Sequence, residues 1–480
     1  MLNLFVGLYL LLSIAIGLYA ARKVHNSTDY VVAGRSLPLH ITTATVFATW
    51  FGSETVLGTS STFITDGLGG IVSDPFGASL CLILVGLFFA RYLYRKNLLT
   101  IADFFKQRYG RGVELATSVA IMLSYLGWVS AQMIALGLVF NVLSQGAISN
   151  EVGMVIGAAI VIVYTIYGGM WSVAMTDFVQ MIVIVVGMLF VGYVVTGKID
   201  GGAVAVIEHA SNAGKFDFWP EPNLAAILAF IGAFVTLALG SIPQQDVFQR
   251  VMSAKDENTA VRGAVLGGAL YFIFAFVPIF LGYSAFLIDE KMTLKLLETD
   301  SQLVLPTLIM EHTPILAQVM FFGALLSAIM STASGTLLAP STIFTENILR
   351  PILGNVSDTR FLWIIRSVVL TFGVCVTLFA LNSNSSIFEM VENAYKVTLV
   401  SAFVPLVAGI YWSKANTQGA VFSMVFGVVV WIFLEATAPE GLWPPQLAGL
   451  VAAIIGMLLG SLLPEMIKSP AQPPLKHTHK

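Results

Sequence analysis

Apolar residues in this chain come in runs long enough to cross a bilayer, and short polar segments separate them. A spanning helix takes roughly 20 mostly apolar residues. Thirteen such runs follow one another, near 2–21, 39–65, 70–94, 114–144, 150–168, 172–196, 222–245, 261–287, 314–345, 361–381, 388–411, 418–436 and 446–464. The pattern predicts an all-α integral membrane protein of about 13 transmembrane helices, with one domain over 1–468. The Pro- and Lys-rich stretch at 469–480 reads as a short disordered tail.

Composition agrees. The chain is 57% hydrophobic and 11% charged, with a mean hydropathy of +0.86, whereas soluble domains are about 25% charged. A net charge of −3 gives no sign of nucleic acid as a partner. Cys81 and Cys375 lie inside apolar runs, which excludes a disulfide framework and a Cys/His metal cluster. The segment from Met1 to Ala21 lacks a basic start and runs directly into Arg22-Lys23, so it reads as an uncleaved first span.

Lys and Arg concentrate in cytoplasmic loops. With the N-terminus outside, 18 fall on the inner side and four (Lys198, Lys215, Lys291, Lys295) on the outer, while Arg366 and Lys396 lie within spans. The inner set includes the cluster from Arg91 to Arg111, Arg250 and Lys468. This predicts a multi-pass protein of the plasma (inner) membrane, N-terminus outside and C-terminus cytoplasmic.

Transport sites come from helices that unwind at mid-membrane, where freed carbonyls line a protein cavity. Two runs are interrupted: the second by Phe51-Gly52-Ser53-Glu54, the seventh by Gly240-Ser241-Ile242-Pro243-Gln244-Gln245. The breaks lie five runs apart, as expected of an inverted repeat with units near 39–196 and 222–411. Gly and Pro are also simply common in membrane helices.

The segment Gly168-Gly169-Met170-Trp171-Ser172-Val173-Ala174-Met175-Thr176-Asp177-Phe178-Val179-Gln180 resembles the signature of the sodium/solute symporter family, and so does Met330-Ser331-Thr332-Ala333-Ser334. The resemblance runs from about residue 5 to 465. It implies a leucine-transporter-type fold: a 5+5 inverted repeat of helices with one extra in front and two behind. It also implies a sodium site made of the carbonyls of Ala48, Phe51 and Ala328 and the hydroxyls of Ser331 and Thr332. Such uncharged hard oxygens suit Na+. Asp177 matches the family's aspartate on the sodium path, which in some members joins Ser331 and Ser334 in a second ion site. Here Gly335 stands where those members have another hydroxyl.

Residues 44–58 and 242–250 look nearest to choline- and proline-type members. Trp50 and Trp128 match two positions of an aromatic cage for a quaternary ammonium. Ala78 and Gln244 replace the other two aromatics, which argues against choline itself. Two indoles, Gln244 and Glu54, four residues beyond Trp50, suit an amino acid or another small amine-bearing solute. Glu392 and Lys396 are spaced to form a helical ion pair, and Arg366 is expected to snorkel to the inner surface. No nucleophile motif or metal-ligand cluster points to an enzyme. The resulting expectation is sodium-coupled import of a small organic solute. A transporter-like sensor with a separate signalling partner, or a proton-coupled importer using Asp177, Glu54 or Lys396, is the alternative.

Overall fold

Inside a bilayer every backbone N–H and C=O has to be satisfied by the protein, which leaves the helix as the default state of an apolar run. The computed structural model describes residues 2–354, 356–383 and 385–467, and these are helical nearly throughout. The expected tail, with Lys468, lies outside the described residues.

The elements that position the site are α1 (Leu2–Ala20), α2 (Leu39–Trp50), α3 (Thr59–Gly70), α4 (Val72–Arg95), α5 (Arg111–Leu143), α6 (Asn150–Thr196) and α7 (Leu224–Gly240). They continue with α8 (Gln245–Met252), α9 (Glu257–Ile288), α10 (Ile315–Leu353), α11 (Asp358–Leu381) and α12 (Ile387–Tyr411). Two more, α13 (Thr417–Thr437) and α14 (Pro445–Leu462), pack mainly on each other. Polar caps set several starts: Asn223 accepts from the Ala226 amide at 2.8 Å, and Asp256 from that of Thr259 at 2.8 Å.

At the centre, α10 and α6 lie side by side, flanked by α5 and α2. The middle of α10, from Ala324 to Ile343, is buried at every residue. That face carries Ser327, Ser331, Thr332, Ser334 and Thr336, so the most enclosed helix is also rich in hydroxyls.

Among the described residues, ten helices are long and apolar enough to span, and α7 with α8, bent by 44°, makes eleven. The thirteen runs differ from this count for two reasons. The expected spans near 150–168 and 172–196 are one 47-residue helix, α6, broken at Gly169. The expected span near 39–65 is divided into α2 and α3, each of 12 residues and each too short to cross alone.

The Gly169 break shows how a membrane protein closes such a defect. Its φ of +48° belongs to glycine, and a Cβ there would stand 2.4 Å from the Tyr30 carbonyl oxygen. The carbonyls just before it are taken by other groups. The Tyr30 hydroxyl lies 3.1 Å from the Thr165 carbonyl oxygen and 3.2 Å from that of Ile166, and Arg366 Nε donates to the Ile166 carbonyl at 3.2 Å. Arg366 therefore seals a helix break, and its half-buried guanidinium lies 5.4 Å from the Trp363 ring centre.

Two further expectations about charge change. Glu392 and Lys396, both half-buried on α12, attract one another without closing to a direct ion pair, whereas Arg91 and Arg95 pair with Glu257. Arg250, counted above among loop cations, is buried at 1% exposure.

Gly169→Ala should strain the backbone and crowd Tyr30, at a cost of about 1–3 kcal/mol. A lowered melting temperature in detergent is the expected outcome; an unchanged one would show that the break relaxes freely.

Candidate functional site

The first break begins where α2 ends. Phe51 leaves helical geometry with ψ of +78°, and the chain resumes in a wide turn over Glu54–Gly58. The Gly52 amide, which a continuous helix would give to Ala48, bonds instead to the Trp50 carbonyl at 2.8 Å. The Ala48 carbonyl is thereby released, and α10 supplies what meets it: Ser331 Oγ lies 3.3 Å away and Thr332 Oγ1 3.4 Å. Both contacts are long for hydroxyl–carbonyl bonds, whose usual distance is about 2.7–2.8 Å.

Behind this trio stands Asp177 of α6, fully buried. Ser331 Oγ donates to its Oδ1 at 2.6 Å, and the Thr45 hydroxyl donates to its Oδ2. Ala48, Ser331, Thr332 and Asp177 are thus brought together by contact. Phe51 and Ala328 are buried in the same two segments, Ala328 one helical turn before Thr332. Ser334 turns away from the group, its hydroxyl donating to the Ser331 carbonyl of its own helix at 3.0 Å.

Sequence reasoning missed Arg250. It opens no apolar run and reads as a loop cation, but α8 carries it inward from the second break. Its Nε donates to the Thr45 carbonyl at 2.9 Å, and its Nη1 to that of Asp246 at 3.3 Å. Nη2 lies 3.8 Å from Asp177 Oδ2, and Nη1 lies 4.0 Å from Asp246 Oδ2. Asp246 in turn accepts from the Tyr125 hydroxyl of α5. Gly335 makes room for this guanidinium: a Cβ there would stand 2.1 Å from Nη2.

On the other side of the break the aromatic residues gather. Trp50 and Trp128 have ring centres 5.5 Å apart. Tyr395 of α12 completes the group, stacked on Trp50 at 5.2 Å and edge-on to Trp128 at 5.2 Å. Tyr125 stacks on the far face of Trp128 at 5.9 Å. Neither tyrosine was legible as a site residue, because α12 and the mid-part of α5 show only an apolar run with scattered rings. The Trp50 indole N–H and the Tyr395 hydroxyl are buried without a hydrogen-bond partner among the described residues.

Glu54 is buried beside these rings. Gln132 Nε2 donates to its Oε2 at 2.9 Å, while Gln132 Oε1 accepts from the Ser53 amide at 3.2 Å. A Cβ on Gly52 would lie 2.7 Å from Glu54 Oε2 and 2.9 Å from Thr332 Oγ1. The carboxylate therefore sits between the aromatic group and the α10 hydroxyls. Gln244 is placed differently: its amide Nε2 donates to Ser124 at 3.0 Å and to Thr398 at 3.2 Å, which fixes the second break to α5 and α12.

A further buried carboxylate, Asp74, accepts from Thr55 at 3.2 Å, from Thr59 at 3.0 Å and from Tyr271. Its oxygens are fully engaged in bracing the turn after the first break. Chemically, then, the centre offers hard oxygens for a small cation on one side of Gly52, and rings with a carboxylate for an ammonium on the other.

Residues 30–427 match the Sodium:solute symporter family. The human high affinity choline transporter 1 is 28% identical over 448 residues, covering 90% of this chain and 76% of its own length. The osmoregulated proline transporter OpuE of Bacillus subtilis is 25% identical over 480 residues, covering 97% and 95%. Among solved structures, a Na+-coupled sialic acid symporter in a substrate-bound outward-open state superposes with a TM-score of 0.81 at 21% identity, over 98% of this chain and 99% of that one. MhsT in complex with L-phenylalanine superposes with a TM-score of 0.55 at 14% identity, over 88% and 98%. These structural likenesses show the all-α, leucine-transporter-type fold, and the sequence match shows that the chain belongs to the sodium:solute symporter family.

Proposed function

We propose that this protein imports a small amine-bearing organic solute with sodium, by alternating access across the plasma membrane. The observation that carries the reading is the Ala48 carbonyl, released by the break in α2 and met only at 3.3 and 3.4 Å by the Ser331 and Thr332 hydroxyls. A sodium ion bound here would take the carbonyls of Ala48, Phe51 and Ala328 with those two hydroxyls and draw α2 against α10. Thirteen crossings, with the N-terminus outside and the C-terminus in the cytoplasm, follow if α6 is divided at Gly169 and α2–α3 is counted as one broken span.

The solute would enter beside the break. Trp50, Trp128 and Tyr395, packed on one another here, would offer ring faces to an ammonium on parting, and Glu54 would supply the opposite charge. Gln244 acts by holding the second break in place. Relatives that carry choline and proline are consistent with such a cargo, since both bear a cationic nitrogen. Accumulation draws on the sodium gradient and on a membrane potential worth about 2.3 kcal/mol per charge per 100 mV.

The guanidinium of Arg250 stands on the Gly335 side of Asp177, where a second ion site would need a further oxygen. We read Arg250 as the fixed cation of that position and assign one sodium per solute. Asp177 then holds Ser331 in line for the single ion.

In proteoliposomes given labelled amines, amino acids, sugars and carboxylates, one amine-bearing class should accumulate only with an inward sodium gradient. Thr332→Ala should raise the sodium concentration for half-maximal uptake about tenfold, a loss of about 1.4 kcal/mol; unchanged sodium activation would remove the site. Glu54→Gln should weaken competition by ammonium-bearing solutes about tenfold or more, and equal competition in both proteins would exclude Glu54 as counter-charge. Dual-label flux should give a sodium:solute ratio of one. A ratio of two would overturn the role given to Arg250, whereas Gly335→Ser, which crowds the guanidinium, should depress uptake at saturating solute.

A further inference from the structure

Away from the transport centre, a cavity of about 590 Å³ opens on the outer surface of the bundle between α5, α10 and α11. Its wall is apolar, with Met122, Pro340, Phe344 and Phe372 among the lining side chains. The hydroxyls along it are turned into α11 itself: Ser367 Oγ donates to the Trp363 carbonyl at 3.0 Å, and Thr371 Oγ1 to that of Ser367 at 2.9 Å. The groove thus offers an occupant hydrocarbon contact and no hydrogen bond along its length.

One end is different. Arg360, exposed on the first turn of α11, lines the mouth. The carboxylates around it are already engaged. Asp358 accepts from the amide and hydroxyl of Ser27 at 2.9 and 2.8 Å, and Glu346 pairs with Arg350 at 2.6 Å. Arg360 has no ion-pair partner among the described residues. Trp363, exposed beside it, is the kind of side chain that settles at a membrane–water interface.

The dimensions select the occupant. Cys375 lines the groove fifteen residues further along α11, a rise of about 22 Å at 1.5 Å per residue. One leaflet with its headgroup region is about 20–22 Å deep. The groove therefore begins at a cation in the headgroup region and runs the depth of one leaflet.

We infer that this groove binds an anionic phospholipid, with the phosphate on Arg360 and one acyl chain laid along α11 towards Cys375. Basic residues at the mouth of inter-helix pockets select anionic headgroups in this way. The chain would lie against Pro340, eight residues beyond Thr332 on α10, so the lipid abuts the helix that bears the α10 hydroxyls.

Delipidated protein in detergent, titrated with phosphatidylglycerol or phosphatidylcholine and read by native mass spectrometry, tests the inference. Phosphatidylglycerol should bind as one molecule with a preference of about fivefold over phosphatidylcholine. The preference should disappear in Arg360→Gln and persist in Arg360→Lys. Cys375 is exposed and Cys81 buried, so maleimide reaction at Cys375 locates the chain. Phosphatidylglycerol should slow that reaction in the wild type, and Val368→Trp, which fills the groove, should abolish both the binding and the protection. Equal binding of the two lipids, a preference that survives in Arg360→Gln, or a Cys375 reaction that phosphatidylglycerol leaves unchanged would overturn it.

Discussion

A carbonyl that loses its helical partner inside a bilayer has to find another donor, because lipid supplies none. This constraint organises the molecule. At the first break the Ala48 carbonyl faces Thr332 Oγ1 at 3.4 Å and Ser331 Oγ at 3.3 Å on α10, and that of Trp50 takes the Gly52 amide. At the second, Thr398 of α12 donates to the Gly240 carbonyl at 2.7 Å. At the bend of α6, Tyr30 and Arg366 take over. Each interruption is tolerated because a distant element reaches it, and the elements that reach the first two are the ones that surround the centre. The candidate site and the repair of the backbone draw on the same elements.

Charge follows a similar logic. A buried carboxylate is costly unless it is paired and hydrogen-bonded. Around Arg250 stand two, Asp177 and Asp246, each at about 4 Å, with Thr45, Ser331 and Tyr125 hydroxyls supplying bonds. One guanidinium against two carboxylates leaves the cluster short of positive charge. Its surplus lies next to the Ala48 carbonyl and the α10 hydroxyls, and a monovalent cation arriving there would complete the balance. The neutral oxygens then need only give the ion its shape.

Several parts of this were legible in the sequence because they are local. The two breaks announce themselves as Gly, Ser and Pro inside apolar runs, whereas Ser331-Thr332 stands out only through the family resemblance, since helical hydroxyls often bond to their own backbone. Trp50, Glu54 and Asp177 stand out as costly or bulky residues at membrane depth. What could not be read is what depends on meeting at a distance. Tyr395 is one ring among many until α12 lies against Trp50. Gln132 is an ordinary amide until it faces Glu54. Arg250 looked like a loop cation because the short helix after the second break, bent by 44° from α7, is buried in the protein along its whole length. Gln244 lies in the second break as expected, and its amide bonds to Ser124 of α5 and Thr398 of α12 are another meeting at a distance. The number of spans was blurred by the same breaks that mark the centre, since a divided helix is two short pieces and a bent one is a single long piece.

The Ala48 carbonyl meets its partners 283 and 284 residues further along the chain. At the usual pace of synthesis, about 5–20 residues per second, the ribosome needs roughly 15–60 s to make that stretch. For that time the Ala48 carbonyl has no α10 hydroxyl to meet, although Gln132 of α5, only 79 residues after Ser53, can already take the Ser53 amide. The joining of α2 to α10 therefore waits on the order in which the chain is written.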